Sequence, residues 1–515
     1  MRRSLVGFAF LLGSLTQPAT AAWHTASSKH FVIYADEKPD RLRQFATRLE
    51  KFDKAVRLVR NMPDFDAGDG NRVTIYVVRD TGAVEKLARM RNIGGFYVGR
   101  ARGPLAVVPK IGFSDSKESF SADIIFFHEY AHHLMLQDLE QPLPEWLIEG
   151  FAEMMSTATF EKDGAVWLGK AAQHRAEGLF WGESMPLETL LAGNYAGISD
   201  GMRESVYGRG WLLTHYLNFE PSRRGQLTKY VNAIAQGTDS LKAARGAFGD
   251  LKRLDQDLTR YRLQRRINAL RIAGDKLIPP PVDVAPLSAG AAEVVPLRLQ
   301  SKVGVNRTTA APLAVKIRAV QARYPGDALV ETTLAEAELD AGHADASDAA
   351  ASRALALDPR NTEALIYKGR ATRAIARKSA KPDAKQFAES RAWFTKANQI
   401  DPEDPEPLME YFWSFVEAGE MPTKNAVDGM HYASNLAPQD ASLRLNSALQ
   451  YLRDKDLKKA RQTLAPIAFD PHGRQIAELA QSMMKYIDAG DTDGAIKAAA
   501  GDNQGKPATA AGKSD

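Results

Sequence analysis

A proline period in the second half of the chain limits its fold more than any other feature. Proline recurs at Pro325, Pro359, Pro402, Pro438 and Pro471, with successive spacings of 34, 43, 36 and 33 residues. Four of these prolines close similar text: RALALDP, ANQIDP, ASNLAP and PIAFDP. Between them the apolar positions keep a helical period, and stretches such as Leu334 to Ala341 and Ala349 to Ala356 are rich in alanine, which allows close helix packing. A helix pair of this length cannot bury its apolar face alone, so each pair must stack on the next and share one continuous core. The 43-residue interval holds a charged, proline-containing insertion, Arg377 to Lys385. Residues 310–500 are therefore expected to form an all-α solenoid, with the small polar residues 501–515 as a disordered tail.

A period of about 34 residues built from two helices resembles the tetratricopeptide repeat. The resemblance implies a concave surface that takes a protein partner or a substrate segment. Ahead of the repeats, Pro279-Pro280-Pro281, Pro286 and Ser288-Ala289-Gly290 mark 273–309 as a Pro-rich linker, with one short strand at Val294 to Leu299.

At the other end, Arg2 and Arg3 precede an apolar run from Leu5 to Leu15, and Ala19-Thr20-Ala21-Ala22 offers small residues for cleavage. This order reads as a secretory signal peptide over 1–22, which places the mature chain in a periplasm or outside the cell. The run is too short to span a bilayer comfortably, and no later segment reads as an integral membrane span. With no cysteine in 515 residues, disulfides and thiolate ligands are both excluded, leaving His, Asp and Glu as strong metal ligands. A net charge of +4 gives no reason to expect nucleic acid as a partner.

Residues 23–272 mix strands and helices. Phe31 to Tyr34 and Arg72 to Val78 read as strands, Asp40 to Arg60 as a helix, and Gly95 to Val98 with Leu105 to Val108 as a hairpin around Gly99 to Pro104. Beyond Ser121 the pattern is mainly helical, giving an α+β domain with a small N-terminal sheet and a helical C-terminal part.

The chemistry lies in that helical part. Ile124 to Leu136 reads IIFFHEYAHHLML, which contains the pattern HExxH at His128, Glu129 and His132. Residues four apart share a helix face, so both imidazoles can reach one metal ion, with Glu129 beside its open position as general base. Zinc suits imidazole and carboxylate ligands in a tetrahedral site. His133 is turned about 100° away on the helix. His174 and His215 stand alone in the sequence and read as structural.

The segment Glu145 to Glu153, EWLIEGFAE, resembles the WLNEGFA segment of aminopeptidase-N-like gluzincins. That resemblance implies Glu149 as the third metal ligand and Glu153 as the carboxylate that orients a ligating imidazole. The interval from His132 to Glu149 is x16, against x18 in that family. Tyr207-Gly208-Arg209-Gly210, followed by Tyr216-Leu217, resembles the family segment whose tyrosine donates to the developing oxyanion, which implies that role for Tyr207. The family's edge strand, which pairs with an extended substrate, corresponds to Gly95, Phe96 and Tyr97. The G-x-M-E-N segment that binds a free amine in aminopeptidases is missing, so the chain is most similar to peptidase-MA-like proteins joined to tetratricopeptide repeats. The expectation is an α+β zincin-like domain acting as an exported zinc metallopeptidase on a peptide or protein substrate. The alternative is a cell-envelope binding or assembly protein whose zinc site is structural or inactive.

Overall fold

Buried and half-buried side chains alternate strictly along Phe31–Asp36, as a strand covered more on one face than the other requires. The computed structural model describes residues 23–64, 68–91, 93–110, 122–137, 143–193, 195, 197–378, 384–468, 470 and 473–501. The expected signal peptide, residues 379–383 of the expected insertion, and the tail beyond residue 501 lie outside them.

In chain order the strands are β1 (Trp23–Ser27), β2 (Phe31–Asp36), β3 (Val73–Val78), β4 (Phe96–Val98), β5 (Leu105–Pro109), β6 (Thr159–Phe160), β7 (Val166–Leu168), β8 (Leu270–Ile272) and β9 (Asp283–Pro286). A six-stranded sheet runs β4-β5-β3-β2-β1-β9, and β6-β7-β8 form a smaller one. Strands β2, β3 and β5 are parallel, while β4, β1 and β9 are antiparallel to their neighbours. Helices α1 (Pro39–Arg60) and α2 (Thr81–Ala88) make the crossovers on either side of β3.

The helical part of this domain follows as α3 (Ala122–Gln137), α4 (Glu145–Ser156), α5 (Leu187–Ala192), α6 (Asp200–Phe219), α7 (Gln226–Ala235), α8 (Ser240–Phe248) and α9 (Leu251–Arg262). Apolar on nearly every side, α3 lies inside the domain. Phe126, Phe127 and Tyr130 pack with Phe31 of β2 and Phe52 of α1, and the rings of Phe52 and Phe127 stack at 4.1 Å.

The segment expected as a linker is structured. It holds β9, which pairs with β1, and then helix α10 (Ala289–Val303), so Val294 to Leu299 is helical rather than a strand. Ser288 starts the helix by accepting from Ala291 N. Val294, Val295 and Leu299 are buried, the latter two against Tyr76, Leu105 and Val107 on the sheet face opposite α3. Burial of this apolar stripe outweighs the local proline signal; the three consecutive prolines lie just before β9.

The rest is an all-α repeat solenoid: α11 (Ala310–Gln321), α12 (Ala328–Asp340), α13 (Ala344–Leu357), α14 (Thr362–Lys378), α15 (Ala384–Ile400), α16 (Pro405–Glu417), α17 (Lys424–Leu436), α18 (Ala441–Arg453), α19 (Leu457–Ala468), α20 (Arg474–Asp488) and α21 (Thr492–Gly501). Each helix packs on the next. Two residues after the proline of four successive turns stands an Asp or Asn that caps the following helix: Asp327, Asn361, Asp404 and Asp440.

Some turn carboxylates also clasp the α+β domain. Asp440 accepts from Leu443 N and from Ala101 N, each at 2.8 Å, and Asp401 accepts from Gly70 N at 2.8 Å. Asp440→Ala removes both bonds at once and is expected to lower stability by about 2 kcal/mol, measurable by chemical unfolding of the full chain. An unchanged midpoint would show that the clasp contributes nothing.

Candidate metal centre

Helix α3 carries His128 and His132 on one face, and α4 crosses it with Glu149. The helix start is set by Pro144, whose carbonyl accepts from Leu147 N and Ile148 N, and proline suits a position that needs no N–H of its own. Glycine lets α4 approach α6: a Cβ on Gly150 would lie 2.3 Å from Gly210 O. That crossing brings Tyr207, on α6, to the same centre.

One ligand atom each from His128, His132 and Glu149 fall within 4.8 Å of one another. His128 Nε2 is 3.1 Å from His132 Nε2 and 3.4 Å from Glu149 Oε2, and His132 Nε2 is 3.5 Å from the same oxygen. A tetrahedral zinc ion with bonds of about 2.05 Å separates its ligand atoms by about 3.3 Å, so these three edges fit such an ion. The donor set, two imidazoles and a carboxylate, also fits.

The electrostatics favour a cation. Burial works against charge on His128, but the carboxylates of Glu149 and Glu153 outweigh it and push the imidazole up to about 10. A field that holds a proton this firmly attracts a metal cation for the same reason. The His128 and His132 side chains keep 12% and 10% exposure, against 1% for Glu149, so the imidazole side of the cluster reaches solvent.

Glu153 lies one turn beyond Glu149, with one oxygen 3.1 Å from His128 Nδ1. It also accepts from His174 Nε2 at 2.7 Å and from Arg175 Nε at 2.9 Å. Burial opposes its ionisation, yet His128, His174 and Arg175 hold it well below the usual carboxylate range. His174 therefore departs from the reading of an isolated structural residue: it helps fix the carboxylate behind His128. Arg175 also covers the Tyr207 ring, 4.6 Å from its centroid. Neither partner belongs to a recognisable motif, and adjacency at 174–175 was their only trace in the sequence. Glu153→Gln weakens the charge behind His128 and is expected to reduce zinc affinity roughly 10- to 100-fold, read by chelator competition. Equal affinity would remove this supporting role.

The remaining candidates separate. The Tyr207 ring lies 6.2 Å from the His128 ring, and burial followed by the Glu149 charge raises its phenol above the ordinary value. Glu129 follows His128 on α3 and acts electrostatically on Tyr97. The β4 strand is an edge, paired only with β5 among the described strands. Gly95 sits there because a Cβ would come 3.1 Å from both Ile125 Cγ2 and Val107 O. Tyr97 faces α3, with Oη 2.6 Å from His133 Nδ1. The Phe96 side chain points the other way, into the cluster around Tyr76 and Val107. His215 is structural, bonded to Gly169 O and Tyr261 Oη.

A second cluster, His30, Asp53 and Asp64, has the composition of a metal site. Its charges are already met: Glu50 takes His30 Nδ1 at 2.7 Å, Arg57 binds Asp53, and Lys29 binds Asp64.

No family model and no curated protein matches this chain. Among solved structures, a thermophilic tetratricopeptide-repeat protein of Thermus thermophilus, TTC0263, is 16% identical with a TM-score of 0.32, covering 38% of this chain and 98% of its own. The PilF protein of Pseudomonas aeruginosa is 17% identical with a TM-score of 0.33, covering 43% of this chain and 96% of its own. The repeat architecture stands on the stacked helices and their caps described above.

Proposed function

We propose that the chain is an exported zinc-dependent hydrolase, in finer terms a gluzincin-type metallopeptidase. The observation that carries this reading is the convergence of His128, His132 and Glu149 at tetrahedral spacing, with a further carboxylate, Glu129, on the same helix. Zinc bound there supplies Lewis acidity toward water and a carbonyl oxygen. Glu129 takes the proton of the attacking water and returns it to the leaving nitrogen. Tyr207, kept protonated by burial and by Glu149, donates to the oxygen on which negative charge develops. The edge of β4, which pairs only with β5 among the described strands, offers backbone groups to an extended peptide.

A second reading assigns the role to the repeats: a cell-envelope binding or assembly protein whose zinc site is structural or idle. The stacked helices favour it, since such solenoids present extended surfaces to protein partners. Metal analysis of the purified full chain, combined with cleavage of a peptide library, separates the two. Cleavage that disappears on chelation and returns with zinc is expected. A zinc-loaded chain that cleaves nothing would overturn the hydrolase reading in favour of the second.

A further inference from the structure

A directed chain of hydrogen bonds runs along the face of α3 that carries Gln137, His133 and Glu129, and ends at Tyr97. Arg57 is held by Asp53, whose oxygens accept from its Nε at 2.9 Å, and by Pro63 O at 2.9 Å. Its remaining nitrogen lies 3.2 Å from Gln137 Oε1. A guanidinium only donates, so this contact fixes the Gln137 amide with oxygen toward Arg57 and nitrogen toward His133. Gln137 Nε2 is 2.8 Å from His133 Nε2, and an amide nitrogen only donates, so that ring nitrogen accepts. The proton of neutral His133 must then sit on Nδ1, where it is donated to Tyr97 Oη at 2.6 Å. Tyr97 accepts this bond, leaving its own proton free to point elsewhere. No described residue accepts that proton, and Glu129, four residues before His133 on α3, lies on the same helix face as the imidazole that Tyr97 meets.

We propose that Tyr97 is a hydrogen-bond donor to the substrate, aimed by His133, Gln137 and Arg57 on the α3 face that carries Glu129. The proposal rests on the hydrolase reading and adds a side-chain role to the edge strand: Tyr97 binds the oxygen of a peptide carbonyl as charge builds on it, from the β4 side. His133 and Gln137 are positioning residues that set the direction of the donor.

Two measurements on the full-length chain test this. Tyr97→Phe keeps the ring and removes the donor. Its kcat is expected to fall roughly 10²-fold, with KM and zinc content little changed. Nitrogen shifts of His133 in the wild type, with or without metal, are expected to show Nδ1 protonated and Nε2 bare. Unchanged turnover in Tyr97→Phe, or a His133 protonated at Nε2 alone, would overturn the proposal. A wild-type chain with no hydrolysis would count against the hydrolase reading instead. The nitrogen shifts would then still decide which way the Tyr97 proton points.

Discussion

Glu129→Gln is expected to keep zinc bound at the wild-type level while peptide hydrolysis falls by roughly 10²- to 10⁴-fold. The substitution preserves shape and hydrogen-bonding capacity but removes the group that takes a proton. Glu129 contributes none of the three converging ligand atoms, so metal content should not follow activity. Metal analysis and single-turnover cleavage on the same samples check both parts. Equal cleavage by wild type and variant would eliminate Glu129 as the base. Parallel loss of zinc would place it among the ligands instead. His128→Ala provides the contrast, since it should lose metal and activity together.

The second large effect concerns a residue with no chemistry. Gly150→Ala is expected to destabilise the α+β domain by about 3 kcal/mol, near the upper end for overpacking. The added Cβ would lie 2.3 Å from Gly210 O, 2.4 Å from Thr214 Oγ1 and 2.5 Å from Gly210 C. Two of these atoms are backbone of α6, so neither helix can yield by turning a side chain. Separating α4 from α6 also moves Glu149 and Tyr207 relative to each other, so zinc affinity should fall along with stability. Gly246→Ala in α8 is the control, because nothing lies within 4 Å of its Cβ position. Without a clash, alanine there should raise stability by about 0.5–1 kcal/mol through helix propensity. Equal melting temperatures for the two variants would refute the close-crossing argument.

Legibility in the sequence followed the range of each interaction. The His128–His132 pair could be read because four residues on a helix always share a face, whatever surrounds them. The repeat period was equally open, and the P-x-Asx pattern at Asp327, Asn361, Asp404 and Asp440 carried a cap signal as well. Val294 to Leu299 was not legible as helix because a short apolar run looks the same in a strand and in a buried helix. Only packing against Tyr76, Leu105 and Val107 separates the two. His174 and Arg175 were not legible as site residues, since their partner Glu153 lies about twenty positions earlier and the turn joining them has no periodicity.

The sequence alone was enough to determine the local elements of this protein: the HExxH helix, the glutamate helix after it, and the helix pairs of the repeat, all set by short-range periodicity and capping. Tertiary structure decided what these elements face. It brought the candidate ligand atoms of His128, His132 and Glu149 to within 3.5 Å of one another and joined Arg57, Gln137, His133 and Tyr97 in one hydrogen-bonded chain. It also turned the expected linker into β9 and α10, and seated loop residue Ala101 among Met409, Phe412 and Met430 of the repeats. The repeats thus bury part of their surface against the α+β domain. Such contacts join residues hundreds of positions apart, where burial and hydrogen-bond direction act through space and leave no periodic trace along the chain.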